Sequence, residues 1–324
     1  MAENDKRRQV DGAFMRDDLR GLGFENVFGS AQSFLRRRYS KNLRDVDIAV
    51  TGIPFDSAVT NRPGARFGPR AVREASGLQI NDPPYGWGFD LMSDYAIVDY
   101  GDVSFDHAKI WDFPDHVTAH IAKILEADVP AFSIGGDHYV TLPILRAYAR
   151  KFGPLAYVQV DAHSDTWPDD DPSRIDHGTF LYHAVQEGLI DVTRSIHVGI
   201  RTVIEDNLGI KILDAPEFHR IGPEAAAAQV KDCLGAGVAY MSFDIDGLDP
   251  AFAPGTGTPV WGGLTSPQAA AFLRALRGIQ LVGADVVEVS PPYDPSGATA
   301  VAAAHVVTEQ MCLWAAYQRD EAPA

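Results

Sequence analysis

The sequence predicts an α/β protein, a single three-layer α/β/α domain around a mostly parallel, eight-stranded sheet. Three observations carry this. Eight short apolar runs recur along the chain, segments with helical spacing separate them, and no linker divides the 324 residues. The runs are 47–53, 95–99, 130–134, 155–161, 195–200, 210–213, 238–245 and 281–289. Several are nearly continuous in Val, Ile, Ala and Phe, the composition of strands covered on both faces. Residues 114–127 place Val117, Ile121, Ile124 and Leu125 at helical spacing. Segments 141–151, 179–188, 223–234, 266–277 and 299–316 read similarly, and Ser266 followed by Pro267 marks a helix start. Such alternation builds a parallel sheet with helices on both faces.

Residues 1–45 are polar and irregular. They read as an N-terminal arm that packs on the body or on a neighbouring subunit, with FLRRRYS (34–40) as a surface basic cluster. The main domain is expected over 46–318, followed by a short tail, 319–324. The composition, 46% hydrophobic and 22% charged, is that of a globular chain. The 44 acidic and 28 basic residues give a formal charge of −16, which argues against nucleic acid or an anionic membrane as partner and suits a cationic ligand. Cys233 and Cys312 lie far apart and form no CxxC, so no disulfide framework or zinc knuckle is expected. No apolar run is long enough to span a bilayer, and MAENDKRRQV lacks the apolar stretch of a signal peptide. The expected location is the cytoplasm.

Polar residues interrupt the runs at their carboxyl ends, where α/β folds bind ligands. In VQVDAHSDTW (158–167), Asp161, His163 and Asp165 fall at every second position, so on a strand they share one face. Asp244 and Asp246 alternate in SFDIDGLDP, His138 follows a third run in GGDH, and Glu288 ends a fourth. Carboxylates crowded in this way repel unless cations neutralise them. His138, Asp161, His163, Asp165, Asp244 and Asp246 form a plausible ligand set for two divalent metals. Same-face strand neighbours are about 6.6 Å apart and paired catalytic metals about 3.5–4 Å apart, so side chains from adjacent strands can bracket them. Four carboxylates and two imidazoles without thiolate favour a hard ion: Mn²⁺, with Ni²⁺, Co²⁺ or Zn²⁺ also compatible. Alone, each motif has a simpler reading: a DxD can cap a turn, one histidine can be structural, and Glu288 can pair with an arginine.

These residues also carry a resemblance. GGDH, DAHSD and SFDIDGLDPAFAPGTGTP resemble the three metal motifs of the ureohydrolase family, which contains arginase, agmatinase and guanidino-acid hydrolases. GIPFDSAVTNRPGARFGPRAVREAS (52–76), DHGTFLYHAVQEGLID, VGIRT and LVGADVVEVSPPYD follow in family order, so the resemblance covers roughly 45–316. FGPRAVR, DHGT and GIRT look most like the agmatinase branch. By matching position the resemblance implies that Asp161 and Asp244 bridge two metals. His138 and Asp165 would complete one ion, and His163 and Asp246 the other. His177, otherwise a loop residue capping a helix, would shuttle a proton, and Glu288 would hold a guanidinium. The implied reaction cleaves agmatine to urea and putrescine, and the implied assembly is a homo-oligomer, a trimer or hexamer, or a hetero-oligomer with a paralogue.

Substrate choice is open to other guanidines: guanidinobutyrate, an N-alkylated guanidine or a biguanide. The acidic stretch Asp169–Asp171, with Asp176, precedes His177, and Asp170 is a candidate for attracting a distal ammonium; Arg174 beside it complicates that argument. The alternative reading of the stretch is a solvated loop. Two other classes compete. A deacetylase-like amidohydrolase would need one metal, and a non-catalytic subunit would have lost a ligand, whereas all six are present. APGTGTPVWGG (253–263) lacks the lysine of a phosphate loop and reads as a rigid loop beside Asp246, while RPGARFGPRAVREA reads as a turn entering a helix.

Overall fold

The computed structural model describes residues 11–204 and 206–321. The strands are β1 (Arg38–Tyr39), β2 (Ile48–Gly52), β3 (Ile97–Asp102), β4 (Ala131–Ile134), β5 (Ala156–Val160), β6 (Ile196–Ile200), β7 (Lys211–Asp214), β8 (Val238–Asp244) and β9 (Gln280–Val287). The helices are α1 (Gly12–Met15), α2 (Gly68–Ser76), α3 (Leu91–Asp94), α4 (Phe113–Glu126), α5 (Thr141–Phe152), α6 (Phe180–Gln186), α7 (Ala215–Ile221), α8 (Pro223–Leu234), α9 (Ser266–Ala275) and α10 (Ala298–Glu321). The strands form one sheet in the order β1-β3-β2-β4-β9-β8-β5-β6-β7. Every neighbouring pair is parallel.

Both faces are covered, which explains the uninterrupted apolar runs. Ile48, Val50, Phe132, Val158 and Val160 pack with Val72 of α2, Phe218 of α7, Val230 of α8, Phe272 of α9 and Val307 of α10. Their strand neighbours Ala49, Val98, Ala131 and Tyr157 face the other way, against Ile121 of α4, Leu145 of α5 and Phe180 of α6. The period-2 alternation of a strand thus builds two cores from one sequence run.

The ninth strand corrects the expected eight. β1 lies inside FLRRRYS and pairs with β3 in the register Tyr39↔Asp99. Two residues carry no period to read, so only the partner strand reveals it. The cluster is not a basic surface either, since Arg36 and Arg37 are fully buried. Arg37 donates to the carbonyls of Leu35 and Gly21, and burial pulls its guanidinium down to about 9. The helix at 266 is capped by Thr265 rather than Ser266, through a reciprocal capping box with Gln268. α1, α3 and α7 carry too few apolar positions to announce themselves and are additions to the expected helices.

Two close approaches set the central loops. A Cβ at Gly136 would lie 1.6 Å from the Phe55 carbonyl oxygen, so the loop after β2 can lie across the loop after β4 only because residue 136 is glycine. Asp137 N–H donates to that same carbonyl at 2.8 Å. On the far side, Arg73 of α2 forms a bidentate pair with buried Asp99 of β3, at 2.7 and 3.0 Å. Asp99 also accepts the Phe34 N–H at 2.8 Å, tying the N-terminal segment to the sheet.

Candidate active site

Four adjacent central strands, β4-β9-β8-β5, end in polar residues. His138 follows β4, Glu288 follows β9, Asp244 ends β8, and Asp161 follows β5. Two backbone positions here are unusual: Asp165 and Glu288 have φ of 53° and 62°, left-handed values that cost L-residues about 1–3 kcal/mol when a site imposes them.

All six candidate ligands are brought together. His138, Asp161 and Asp244 form one group whose donor atoms lie within 4.8 Å of one another, and Asp161, His163 and Asp246 form a second, so Asp161 is common to both. Asp165 joins the first, with Oδ2 2.9 Å from His138 Nδ1. His163 Nδ1 lies 3.1 Å from Asp246 Oδ2 and 3.5 Å from Asp161 Oδ1. Local hydrogen bonds aim the carboxylates. Asp161 accepts from Gln159 Nε2 (2.8 Å) and His163 N–H (2.6 Å), Asp244 from Asp246 N–H (2.8 Å), and Asp246 from Ala162 N–H (3.1 Å).

The fit to a metal can be tested at His138. Its Nε2 contacts Ser242 Oγ at 2.8 Å, and that hydroxyl donates to Asp285 Oδ1 at 2.6 Å. Ser242 therefore accepts from Nε2–H, which leaves the lone pair on Nδ1. Nδ1 is buried without a hydrogen-bond partner, yet oxygens of Asp161, Asp165 and Asp244 surround it at 3.1, 2.9 and 3.2 Å. A buried lone pair ringed by carboxylate oxygens is the donor geometry of a cation site, with a serine and an aspartate fixing the tautomer behind it. The electrostatics agree. Burial and the Asp161 charge push Asp165 up to about 6, and burial with neighbouring carboxylates also raises Asp244 and Asp246. Burial would raise Asp161 too, but its two histidine neighbours, His138 and His163, outweigh it and hold it well below the usual range. Asp165, Asp244 and Asp246 hold protons more tightly when no cation is present to share their charge.

Beside the ligands, His177 bridges two elements. Its Nδ1 lies 2.8 Å from Glu288 Oε1. Its Nε2 accepts from the Thr60 backbone N–H at 3.1 Å and contacts Thr60 Oγ1 at 2.8 Å. Burial lowers the proton affinity of His177, but the Glu288 hydrogen bond and the charges of Glu288, Asp165 and Asp137 lift it to about 9. Glu288 Oε1 accepts the His138 N–H at 2.9 Å, and Oε2 is buried without a partner. His163, Asp165, Asp244 and His177 line a cavity of about 390 Å³ together with Trp167, Pro168, Arg174 and Asp176.

The acidic stretch behaves differently from its sequence. Asp170 is exposed and does not line the cavity. Asp169 is held by His183 at 3.3 Å and Arg174 at 3.7 Å, and Asp171 caps Ser173. The carboxylate that reaches the cavity is Asp176, which accepts the Gly178 N–H at 2.8 Å and pairs with Arg174 at 3.3 Å. Thr60, Gln159, Ser242 and Asp285 are site residues that sequence reasoning missed. Asp285 and Ser242 were detectable as polar residues inside buried apolar runs; Thr60 left no such signal.

The family model described as the arginase family matches residues 46–313. The chain is 49% identical to an agmatinase of Chromobacterium violaceum over 94% of both chains, and 44% identical to an agmatinase of Proteus mirabilis over 90% of this chain and 95% of that one. Among solved structures, a hypothetical agmatinase from Burkholderia thailandensis superposes with a TM-score of 0.94 at 49% identity, covering 97% of this chain and 99% of the other. Proclavaminate amidino hydrolase from Streptomyces clavuligerus superposes with a TM-score of 0.84 at 38% identity, covering 90% and 99%.

Proposed function

The chain belongs to the arginase family, and from that premise we propose that it hydrolyses the C–N bond of agmatine, releasing urea and putrescine. The observation that carries the reading is the pair of His/Asp groups sharing Asp161 at the carboxyl ends of β4, β8 and β5. The identity to agmatinases across nearly the whole chain supports the substrate. The ligands are His138, Asp161, His163, Asp165, Asp244 and Asp246, for two divalent ions, Mn²⁺ by their oxygen-rich character. Two such ions supply Lewis acidity and a nucleophile derived from water at neutral pH.

The chain's own residues do the rest. A guanidinium is a delocalised cation and a poor electrophile, so it must be held with its carbon facing the ligand cluster. Glu288 does this with Oε2, the buried oxygen that has no partner of its own. Taking a guanidinium N–H there satisfies the orphaned acceptor and one substrate charge together. The departing amine needs a proton, and His177, raised to about 9 and lining the cavity beside the ligand cluster, can hold one. Trp167 and Asp176 offer an aromatic face and a carboxylate to the aliphatic tail and distal ammonium. Arg174 in the same cavity favours a second reading, a guanidine with an anionic tail such as guanidinobutyrate.

The protein works in the cytoplasm as a homo-oligomer, a trimer or hexamer. Exposed Phe28, Tyr85 and Trp261 offer apolar surface for association, and among the described residues no helix is long and apolar enough to cross a membrane.

Urea release from agmatine, guanidinobutyrate, arginine and substituted guanidines, each with Mn²⁺ and with Ni²⁺, tests the reading. Agmatine with Mn²⁺ is expected to be turned over fastest, and a preference for guanidinobutyrate moves the assignment to the second reading. His163→Ala and Asp246→Asn are each expected to lower turnover by at least ~10³-fold while the circular dichroism spectrum is unchanged. Full activity in either variant removes that residue from the site.

A further inference from the structure

We propose that Thr60 is a positioning residue for His177, fixing its tautomer through a backbone N–H and following its proton through a hydroxyl. The inference rests on the ureohydrolase reading for its catalytic part and on geometry alone for its tautomer part.

A backbone N–H can only donate. In the neutral ring, with Thr60 N–H 3.1 Å from His177 Nε2, that nitrogen offers its lone pair, so the ring proton sits on Nδ1. Glu288 Oε1, 2.8 Å from Nδ1, is the acceptor that proton requires. The opposite tautomer would set N–H against N–H at one end and a lone pair against a carboxylate at the other. Thr60 Oγ1, 2.8 Å from Nε2, is the one partner at that end whose role can reverse. It donates to the neutral ring and accepts from the imidazolium.

The loop carrying Thr60 is held firmly enough for this task. His177 N–H donates to the Ala58 carbonyl at 3.3 Å, and Ala58 N–H donates to Asp137 Oδ2 at 2.8 Å. Asn61 Nδ2 donates to the Gly257 carbonyl at 3.0 Å, anchoring the other side of Thr60 to the loop after β8. The backbone of Thr60 is therefore fixed relative to the strands that carry His138 and Asp244, although its side chain is exposed. In the imidazolium Nε2–H faces the fixed Thr60 N–H, and the hydroxyl is the group of Thr60 that can accept from it.

Two measurements test this. In protein loaded with diamagnetic Zn²⁺, ¹⁵N chemical shifts of labelled histidine report the His177 tautomer without any substrate. Recorded above the pH at which the imidazolium loses its proton, the expected form is Nδ1–H, and finding Nε2–H there overturns the tautomer assignment. For urea release from agmatine, Thr60→Val keeps the N–H and shape but loses the hydroxyl. It is expected to lower kcat about 10-fold with KM within about two-fold, while Thr60→Ser, which restores the hydroxyl, returns kcat to within about two-fold of the parent. A normal kcat in Thr60→Val, a change confined to KM, or a failure of Thr60→Ser to restore kcat overturns the hydroxyl's role. If the parent protein releases no urea from any guanidine, the functional reading fails while the ¹⁵N result still decides the tautomer.

Discussion

Ser242 decides how His138 meets its surroundings. Its hydroxyl hydrogen is committed to Asp285, so it accepts Nε2–H and leaves Nδ1 free toward Asp161, Asp165 and Asp244. Partners of this kind are worth about 10–100-fold in metal affinity. Ser242→Ala is therefore expected to weaken binding of one ion of the pair by about that factor and to leave the other nearly unchanged, as read by competition with a chelator; equal affinity for both ions in the variant and the parent refutes the role. At this scale the sequence showed the donors but not their supports. Asp161, His163 and Asp165 stand out because charged residues at alternate positions are costly in a buried strand without a cation. Ser242 and Gln159 have ordinary side chains whose importance comes from which strand lies next to theirs. Asp170 shows the reverse error. Its charge is conspicuous in sequence, but the backbone turns it to solvent and presents Asp176 instead.

Among the elements, the junction of α2, β3 and the N-terminal segment depends on one buried charge. Asp99 is fully buried, receives two bonds from Arg73, and also accepts the N–H groups of Phe34 and Gly101. Removing one partner of a buried pair leaves a charge that water cannot reach, a loss of about 3–5 kcal/mol. Arg73→Ala should therefore lower stability by that order in urea denaturation, with the site geometry intact in whatever fraction folds; a loss under about 1 kcal/mol means the pair behaves as if solvated. The helical pattern gave most helices to within a few residues of their ends, because amphipathic spacing is a local property. It missed β1, α1, α3 and α7, short elements stabilised by what they pack on, and it put two fully buried arginines on the surface because charge alone suggested solvent.

At the scale of the whole molecule, stability and metal binding are linked through pH. Asp165 is raised to about 6, and Asp244 and Asp246 are also raised, so in the metal-free protein the folded chain keeps protons that the unfolded chain releases above about pH 4. Their stabilisation is complete below about pH 4 and is lost as pH rises through the folded values. His163, raised to about 12 because the charges and hydrogen bonds of Asp246 and Asp161 outweigh its burial, acts in the same sense above about pH 6.5. Asp161, held low, acts oppositely, but its contribution is complete by about pH 4. Buried His120 and His197, pulled down to about 4, add stability only up to about pH 6.5, so metal-free protein should lose stability between about pH 6.5 and 8, where bound cations take over the role of the protons. The rise in Tm on replacing EDTA by Mn²⁺ is expected to be larger at pH 8 than at pH 5.5, and an equal rise at both contradicts the linkage. The sequence by itself determined the α/β class, the donor set and the placing of those donors at strand ends, because strand period, helix period and donor chemistry are all written in neighbouring residues. Only the tertiary structure decided that β9 and β8 insert between β4 and β5. That insertion brings His138, Glu288, Asp244 and Asp161 side by side and lets the loop after β2 reach His177. Strand order is set by long-range packing of both sheet faces, and no run of residues carries it.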